Sequence, residues 1–237
     1  TLQKNEIMKK ILGLLTLTLT LLFGLSTENI IAQSDYNRTD NQGRRQGKWR
    51  DFHDNGKIRY TGEFKNNEPI GEFLYYSEEG ALIAKNNYLK KSNVTETEMY
   101  AANGKVIAKG KYQDKKKHDK WEYFSEETGS LILTENYQNG MIVGKSIAYS
   151  STTQMVIEEI EYVNGMKNGV CNRYYDNGRI MEKASYQNDK LNGDYSFYYP
   201  NGVVKEEGKY LDNQKVGEWK TYDMEEGLLS VDVYSEI

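Results

Sequence analysis

The chain of 237 residues holds one cysteine, two prolines and two histidines. The lone cysteine, Cys171, excludes an internal disulfide framework, so the fold must rest on packing and strand pairing. His53 and His118 are distant in sequence, and with one cysteine they are too few for a His/Cys zinc site. There is no Gly-x-Ser-x-Gly elbow, no phosphate-binding loop and no His-Glu-x-x-His. No catalytic residue, metal ligand or cofactor is therefore assigned, and the chain reads as non-enzymatic. Excess positive charge is also missing: 31 Lys and Arg face 35 Asp and Glu, a net of −4. Nucleic-acid binding would need a basic stripe and is not expected. Twenty tyrosines make the composition strand-like and too aromatic for disorder.

The one long apolar run, Ile11 to Leu25, is too short to span a membrane, which takes roughly 20 residues. It follows the basic start Met8-Lys9-Lys10 and precedes Ile30-Ile31-Ala32. The pattern predicts a secretory signal cut after Ala32, with Thr1 to Ile7 an upstream extension. No cysteine follows the run to carry a bacterial lipid, so no stable membrane anchor is expected after cleavage. Residues 1–32 carry Lys4, Lys9 and Lys10 against Glu6 and Glu28, which leaves the exported part at −5. The expected organisation is 1–32 removed, 33–46 a lead-in and 47–237 a repeat array, located in the periplasm or at the bacterial cell surface.

The array is the main feature. Units open at Gly47, Gly71, Thr95, Asp119, Gly144, Gly169, Gly193 and Gly217, in steps of 24 or 25 residues. A fixed period of this size means stacked units. Two residues after the opening stands a large side chain in most copies: Trp49, Phe73, Trp121, Tyr195 and Trp219. Thr97, Ser146 and Cys171 take the slot elsewhere. Asn55-Gly56, Asn103-Gly104, Asn177-Gly178 and Asn201-Gly202 then predict type I′ turns with both residues at positive φ. In units four and five an extra residue before Gly129 and Gln154 predicts a longer loop with a bulge. After each turn, apolar and polar residues alternate, as in Ile58, Tyr60, Gly62 and Phe64 against Arg59, Thr61, Glu63 and Lys65. The fold class is all-β: an elongated single-layer antiparallel sheet of about eight stacked hairpins.

A two-residue turn fixes the register. It places Trp49 opposite Gly62, Tyr195 opposite Gly208 and Cys171 opposite Ala184. Each ring is expected to cover the glycine across from it, and Cys171 to be a small buried core residue. Carboxylate pairs such as Glu78-Glu79 and Glu206-Glu207 fall at turns and on the polar face, where they keep the array soluble. The run Lys115-Lys116-Lys117-His118 reads as a solvated inter-unit loop.

An aromatic recurs five residues after every opening: Phe52, Tyr76, Tyr100, Phe124, Tyr149, Tyr174, Tyr198 and Tyr222. By strand parity it points away from Trp49, to the face of Arg59 and Glu63. These eight residues are the candidate binding row. Either a bulge turns them inward to pack, or they form a row that stacks on sugars or buries against a partner.

The block Gly47, Trp49, Phe52, Asn55, Gly56, Ile58, Gly62 and Phe64, repeated in units six and seven, resembles the MORN-repeat family. It is most similar to the bacterial variant often labelled a YwqK-type antitoxin. The resemblance covers about residues 44 to 234. It implies an elongated hairpin sheet and scaffolding, protein binding or membrane attachment, with no catalytic residues. The leading expectation is an exported scaffold with a protein partner in the envelope. A glycan- or cell-wall-binding module using the aromatic row is the second. An antitoxin is the third, and an export signal does not fit a cytoplasmic target.

Overall fold

The computed structural model describes residues 35–89 and 93–235. The expected export segment, with its cut after Ala32, lies outside them. A short strand β1 (Arg38–Thr39) leads in. Units one to four are the hairpins β2 (Arg45–Phe52) and β3 (Ile58–Lys65), β4 (Glu68–Tyr76) and β5 (Leu82–Tyr88), β6 (Val94–Tyr100) and β7 (Val106–Gln113), and β8 (Lys116–Phe124) and β9 (Leu131–Gln138). In unit five the first strand is split into β10 (Met141–Ile142) and β11 (Gly144–Tyr149), completed by β12 (Val156–Val163). Units six to eight are β13 (Met166–Tyr174) and β14 (Ile180–Gln187), β15 (Lys190–Tyr198) and β16 (Val204–Leu211), and β17 (Gln214–Tyr222) and β18 (Leu228–Tyr234). Each strand pairs antiparallel with its chain neighbour, and β10 and β11 both pair with β9. Among the described residues the result is one open antiparallel meander of 18 strands, the expected all-β sheet of stacked hairpins.

The turns are reversed from expectation. At the Asn-Gly tips only the glycine has positive φ; Asn55, Asn103, Asn177 and Asn201 do not. The Gly56 amide donates to the His53 carbonyl and the His53 amide to that of Lys57, both at 2.9 Å. This is a three-residue loop, a type I turn closed by a left-handed glycine. It should slip the register by one. A bulge at Asp51/Phe52 slips it back, so Trp49 still faces Gly62, Tyr195 faces Gly208 and Cys171 faces Ala184. Units four and five carry the longer loop foreseen for them, with the Gly129 amide bonding to Ser125 and the Gln154 amide to Ser150. The type I′ turns lie between units instead. Both residues have positive φ in Asn66-Asn67, Asp114-Lys115, Asn139-Gly140, Asn164-Gly165, Asn188-Asp189 and Asp212-Asn213.

The opening residue of most units is the site of a second bulge. Gly71 has φ 65° and Asp119 φ 57°, and there the pairing with the preceding unit shifts by two residues. Thr95 is absent from the left-handed region, and the β5–β6 pairing runs without a shift. So unit three's missing glycine removes a bulge and leaves the strand intact.

The bulge decides how units stack. It sets Gly62 against three residues of the next unit, Gly71, Glu72 and Phe73. A Cβ on Gly62 would lie 2.5 Å from Cγ of Phe73; on Gly110 and Gly208 it would lie 2.6 Å from Cγ of Trp121 and Trp219. The ring that covers each glycine therefore comes from the following unit, which corrects the expected contact within a unit. The interruption also frees carbonyls for the indoles: Trp121 Nε1 donates to Lys111 O at 3.0 Å and Trp219 Nε1 to Lys209 O at 3.1 Å. Phe73, Trp121 and Trp219 are 2%, 0% and 2% exposed, so a single-layer sheet still makes a core. Flanking rings close it edge-on, with Tyr112 on Trp121 and Tyr210 on Trp219, each pair at 5.0 Å between centroids.

Side chains stitch both rims. The amides of Asn55, Asn103, Asn177 and Asn201 donate to carbonyls of the next unit's turn, at 2.8 to 3.2 Å. On the other rim Asn67, Asp189 and Asn213 accept the backbone N–H of Arg45, Lys167 and Leu191, each at the start of the same unit's first strand. The turn asparagines thus serve stacking as well as turning.

Candidate binding surfaces

The sheet presents two different faces. One carries the eight-residue aromatic row and most of the ion pairs. Here Lys85 bonds Glu98 at 2.7 Å, and Glu122 takes Lys120 at 2.8 Å and Lys109 at 3.0 Å. Hydrogen bonds from these lysines hold the Glu98 and Glu122 carboxyls below their ordinary range. Charges of both signs alternate along this face, so it has no single-sign field.

The row lies where strand parity put it, and each member sits at its hairpin bulge. Phe52 is 47% exposed, and the other seven are half-buried. Their hydroxyls turn to carboxylates on the same face: Tyr100 to Glu98 at 2.6 Å, Tyr174 to Glu159 at 3.2 Å and Tyr222 to Glu207 at 2.8 Å. Ile132 and Ile157 lie with Phe124 and Tyr149 in one shallow pocket, so aliphatic side chains separate the rings.

The opposite face carries the core rings, and it holds residues the sequence reading passed over. Lys117 does not sit in a solvated loop. Its ammonium lies 4.6, 5.0 and 4.8 Å from the ring centroids of Trp121, Tyr123 and Tyr137. Lys215 lies 3.8 Å from Trp219, Arg45 3.8 Å from Phe64 and Lys167 5.3 Å from Tyr186. All four cations stand four residues before their unit's large-residue position, filled by Cys171 in the case of Lys167, a periodicity that was open to reading. A cation over an aromatic face contributes about 0.5–2 kcal/mol, and its stem covers apolar surface.

Units two and three depart from this closed pattern. Position 69 is proline in place of a cation, and Thr97 replaces the ring. Thr97 is buried and donates to Asn86 Oδ1 at 2.9 Å, where units two, four and eight pack a ring on glycine. A groove of about 1070 Å³ opens there, lined by Tyr60, Phe64, Phe73, Tyr75, Tyr88 and Tyr112. Its rim bears Glu68 and Asp114 against Arg45 and Lys115.

The remaining candidates are structural. Cys171 is 1% exposed and packs with Ile160 and Ala184; burial pushes its thiol up to about 11. His53 Nε2 lies 2.9 Å from the Tyr76 carbonyl, which calls for a proton on that nitrogen. His118 belongs to β8 and approaches Asp119 at 3.4 Å, so it is not a turn residue. Among the described residues no group of three or more His, Cys, Asp or Glu is placed to hold a metal ion.

The family described as MORN repeat variant matches residues 45–66, 167–188 and 191–212. Each stretch starts two residues before an opening glycine and ends in the type I′ turn, so it spans one hairpin unit of the structure. Three of the units thus match the MORN repeat variant. The matched units are one, six and seven, those with the fullest motif. Units three, four and five depart from that motif at Thr97, Asp119 and Ser146, while the hairpin persists. No curated protein matches the chain significantly.

Proposed function

We propose that this MORN-repeat chain is an exported, non-enzymatic scaffold of the bacterial envelope, and that it binds a protein partner. The observation that supports this most is the aromatic groove of units two and three. Thr97 stands where unit two, four or eight has a buried ring, and the half-buried Tyr60, Tyr75, Tyr88 and Tyr112 line the groove beside it. Exposed aromatic clefts with polar groups at the rim are common docking features of protein interfaces. The basic start and the apolar run Ile11 to Leu25 support export.

Two measurements test the reading. Mass analysis of the exported protein should give a new N-terminus at Gln33 or Ser34. Recovery of the intact chain from the cytoplasm would overturn the envelope assignment. In a pull-down from envelope fractions, Tyr60→Ala should lose the captured protein and Phe52→Ala should keep it. Retention on isolated cell-wall glycan, lost in Phe52→Ala, would replace this reading with the glycan-binding one.

A further inference from the structure

We propose that β18 pairs antiparallel with β18 of a second copy of this chain, joining two arrays about a two-fold axis. The groove of units two and three plays no part in this contact, so it stands or falls apart from partner capture.

The two ends of the sheet are finished differently. At the first end the lead-in covers the outer edge of β2. Arg38 and Thr39 pair with Gln46 and Arg45. The Asn37 amide donates to Lys48 O at 2.9 Å, and Asn37 Oδ1 accepts the Arg50 amide at 2.9 Å. The Arg50 guanidinium lies 3.5 Å from the centroid of the Tyr36 ring. At the other end, β18 pairs with β17 alone among the described residues. Exposed sheet edges are usually guarded by lysine, by proline or by inward-pointing charge. β18 reads Leu-Leu-Ser-Val-Asp-Val-Tyr, with neither lysine nor proline and one charge. Its hairpin bulge falls at Leu229, which leaves Ser230 to Tyr234 as regular edge.

The side chains of this edge break the rule of the array. On the face of the aromatic row, the two middle positions of the second strand are polar in units one to seven, as at Thr61 and Glu63 or Glu207 and Lys209. In unit eight they are Val231 and Val233, 44% and 76% exposed, with Leu229 beside them at 64%. Lys220 and Glu218 of β17 stand across from the two valines and pair with each other, at 3.7 Å. An apolar patch is thus set on an unpaired edge, where a further strand would cover it.

Growth of the array head to tail does not fit. Asp232 occupies the position of Gly62, Gly110 and Gly208, which the ring of the next unit covers. Where that position is large, at Glu135 and Ile160, the next unit offers Ser146 and Cys171 across from it. Unit one of a following copy would bring Trp49 onto Asp232, from an edge already covered. A second β18 fits instead. Residues directly opposite share a face, so a strand paired with its own copy is centred on a residue, not between two. Centred on Asp232, it would oppose two carboxylates, which is destabilising. Centred on Val231, it sets Val231 on Val231, Val233 beside Leu229, and Asp232 against the Ser230 hydroxyl. The contact is isologous and closes at two copies.

Sedimentation velocity and amide exchange on the full exported chain test this. One strand on one strand is a small interface, so a monomer–dimer Kd of about 10–100 µM is expected. Amides of β18 should exchange more slowly as concentration rises, and those of β2 should not change. Val231→Lys sets two ammonium groups on the axis and should give a monomer, with the melting temperature of the dilute chain unchanged. Val231→Thr, which keeps strand propensity, should weaken the dimer only several-fold. Ser230→Lys should tighten it several-fold at low salt, by meeting Asp232 of the second copy. A chain that stays monomeric at several times that Kd, or a dimer that survives Val231→Lys, would overturn the proposal. So would species that grow beyond two copies, or a dimer loosened by Ser230→Lys. Protection of β18 that ignores concentration would mean that the chain covers its own edge, which also overturns it. Capture of another protein's strand by a chain that stays monomeric would do the same.

Discussion

Gly208→Ala tests the stacking directly. Gly208 has ordinary negative φ, so its backbone accepts any residue and the glycine serves space alone. A Cβ there would meet the Trp219 indole 2.6 Å from Cγ. The indole has no easy retreat. Tyr210 stands edge-on at 5.0 Å, Tyr195 lies at 5.5 Å, the Lys215 ammonium caps the ring at 3.8 Å, and Nε1 is tied to Lys209 O at 3.1 Å. Overpacking costs about 1–3 kcal/mol, and displacing the indole forfeits a hydrogen bond of about 1 kcal/mol. The expected loss is thus about 2–4 kcal/mol, read from urea midpoints and from faster amide exchange in β16 and β17. Val204→Thr, away from the indole, should cost about 1 kcal/mol or less, near the ordinary range for a partly exposed site.

The double-mutant cycle names the ring. In a Trp219→Leu background the added methyl has room, so Gly208→Ala should become neutral, or stabilise by about 0.5 kcal/mol through the unfolded chain. In a Tyr195→Leu background its cost should persist. If instead Tyr195→Leu relieves the cost and Trp219→Leu does not, the glycine is covered from within its own unit, and the account of unit stacking is wrong.

Other expectations follow from the same geometry. Asp119→Gly should stabilise by about 0.5 kcal/mol, because an L-residue at φ 57° is strained there, whereas Thr95→Gly should destabilise by about 0.5–1 kcal/mol in a regular strand; equal signs by thermal denaturation would refute the bulge assignment. Alanine at Tyr76, Tyr149 or Tyr198 should cost about 1–2 kcal/mol, between the losses of surface and fully buried aromatics, and chemical denaturation giving over 3 would make the row pure core. The Asp40 carboxyl feels burial, which raises its pKa, but hydrogen bonds from Arg44, Gln42 and Gln46 outweigh this and lower it to about 2. Since the folded value lies below the unfolded one, this contribution is present above about pH 4 and fades as pH falls towards 2. A side-chain NMR midpoint for Asp40 near 4 would contradict it.

The hairpins and their register were legible because period, alternation and turn residues agree. Even so, the register came out right for a different reason: a three-residue loop and a bulge cancel, and their sum matches a two-residue turn. Spacing alone cannot separate these, since both leave Trp49 opposite Gly62. The opening glycines and the mid-strand glycines also look alike in sequence. The structure divides them by cause. Gly47, Gly71 and Gly217 have positive φ and open space around a would-be Cβ, whereas Gly62, Gly110 and Gly208 have ordinary φ and a ring in contact.

The groove was less legible, and the reason lies in what makes it. Lys117 stands in a run of lysines, and runs read as solvated loops; only its phase, shared with Arg45, Lys167 and Lys215, marks it as part of the ring wall. The groove is defined by departures from the repeat, Pro69 and Thr97, in two different units. Each alone reads as a weak copy of the motif. They acquire meaning only once the bulge is known to place each unit's ring over the preceding unit, because that contact makes Thr97 leave a space beside the half-buried Tyr75 and Tyr88. In an array whose regular positions are committed to stacking, the irregular ones leave rings beside a groove, whereas the members of the aromatic row, being regular, are half-buried on the sheet or, like Tyr100, Tyr174 and Tyr222, hydrogen-bonded to its carboxylates.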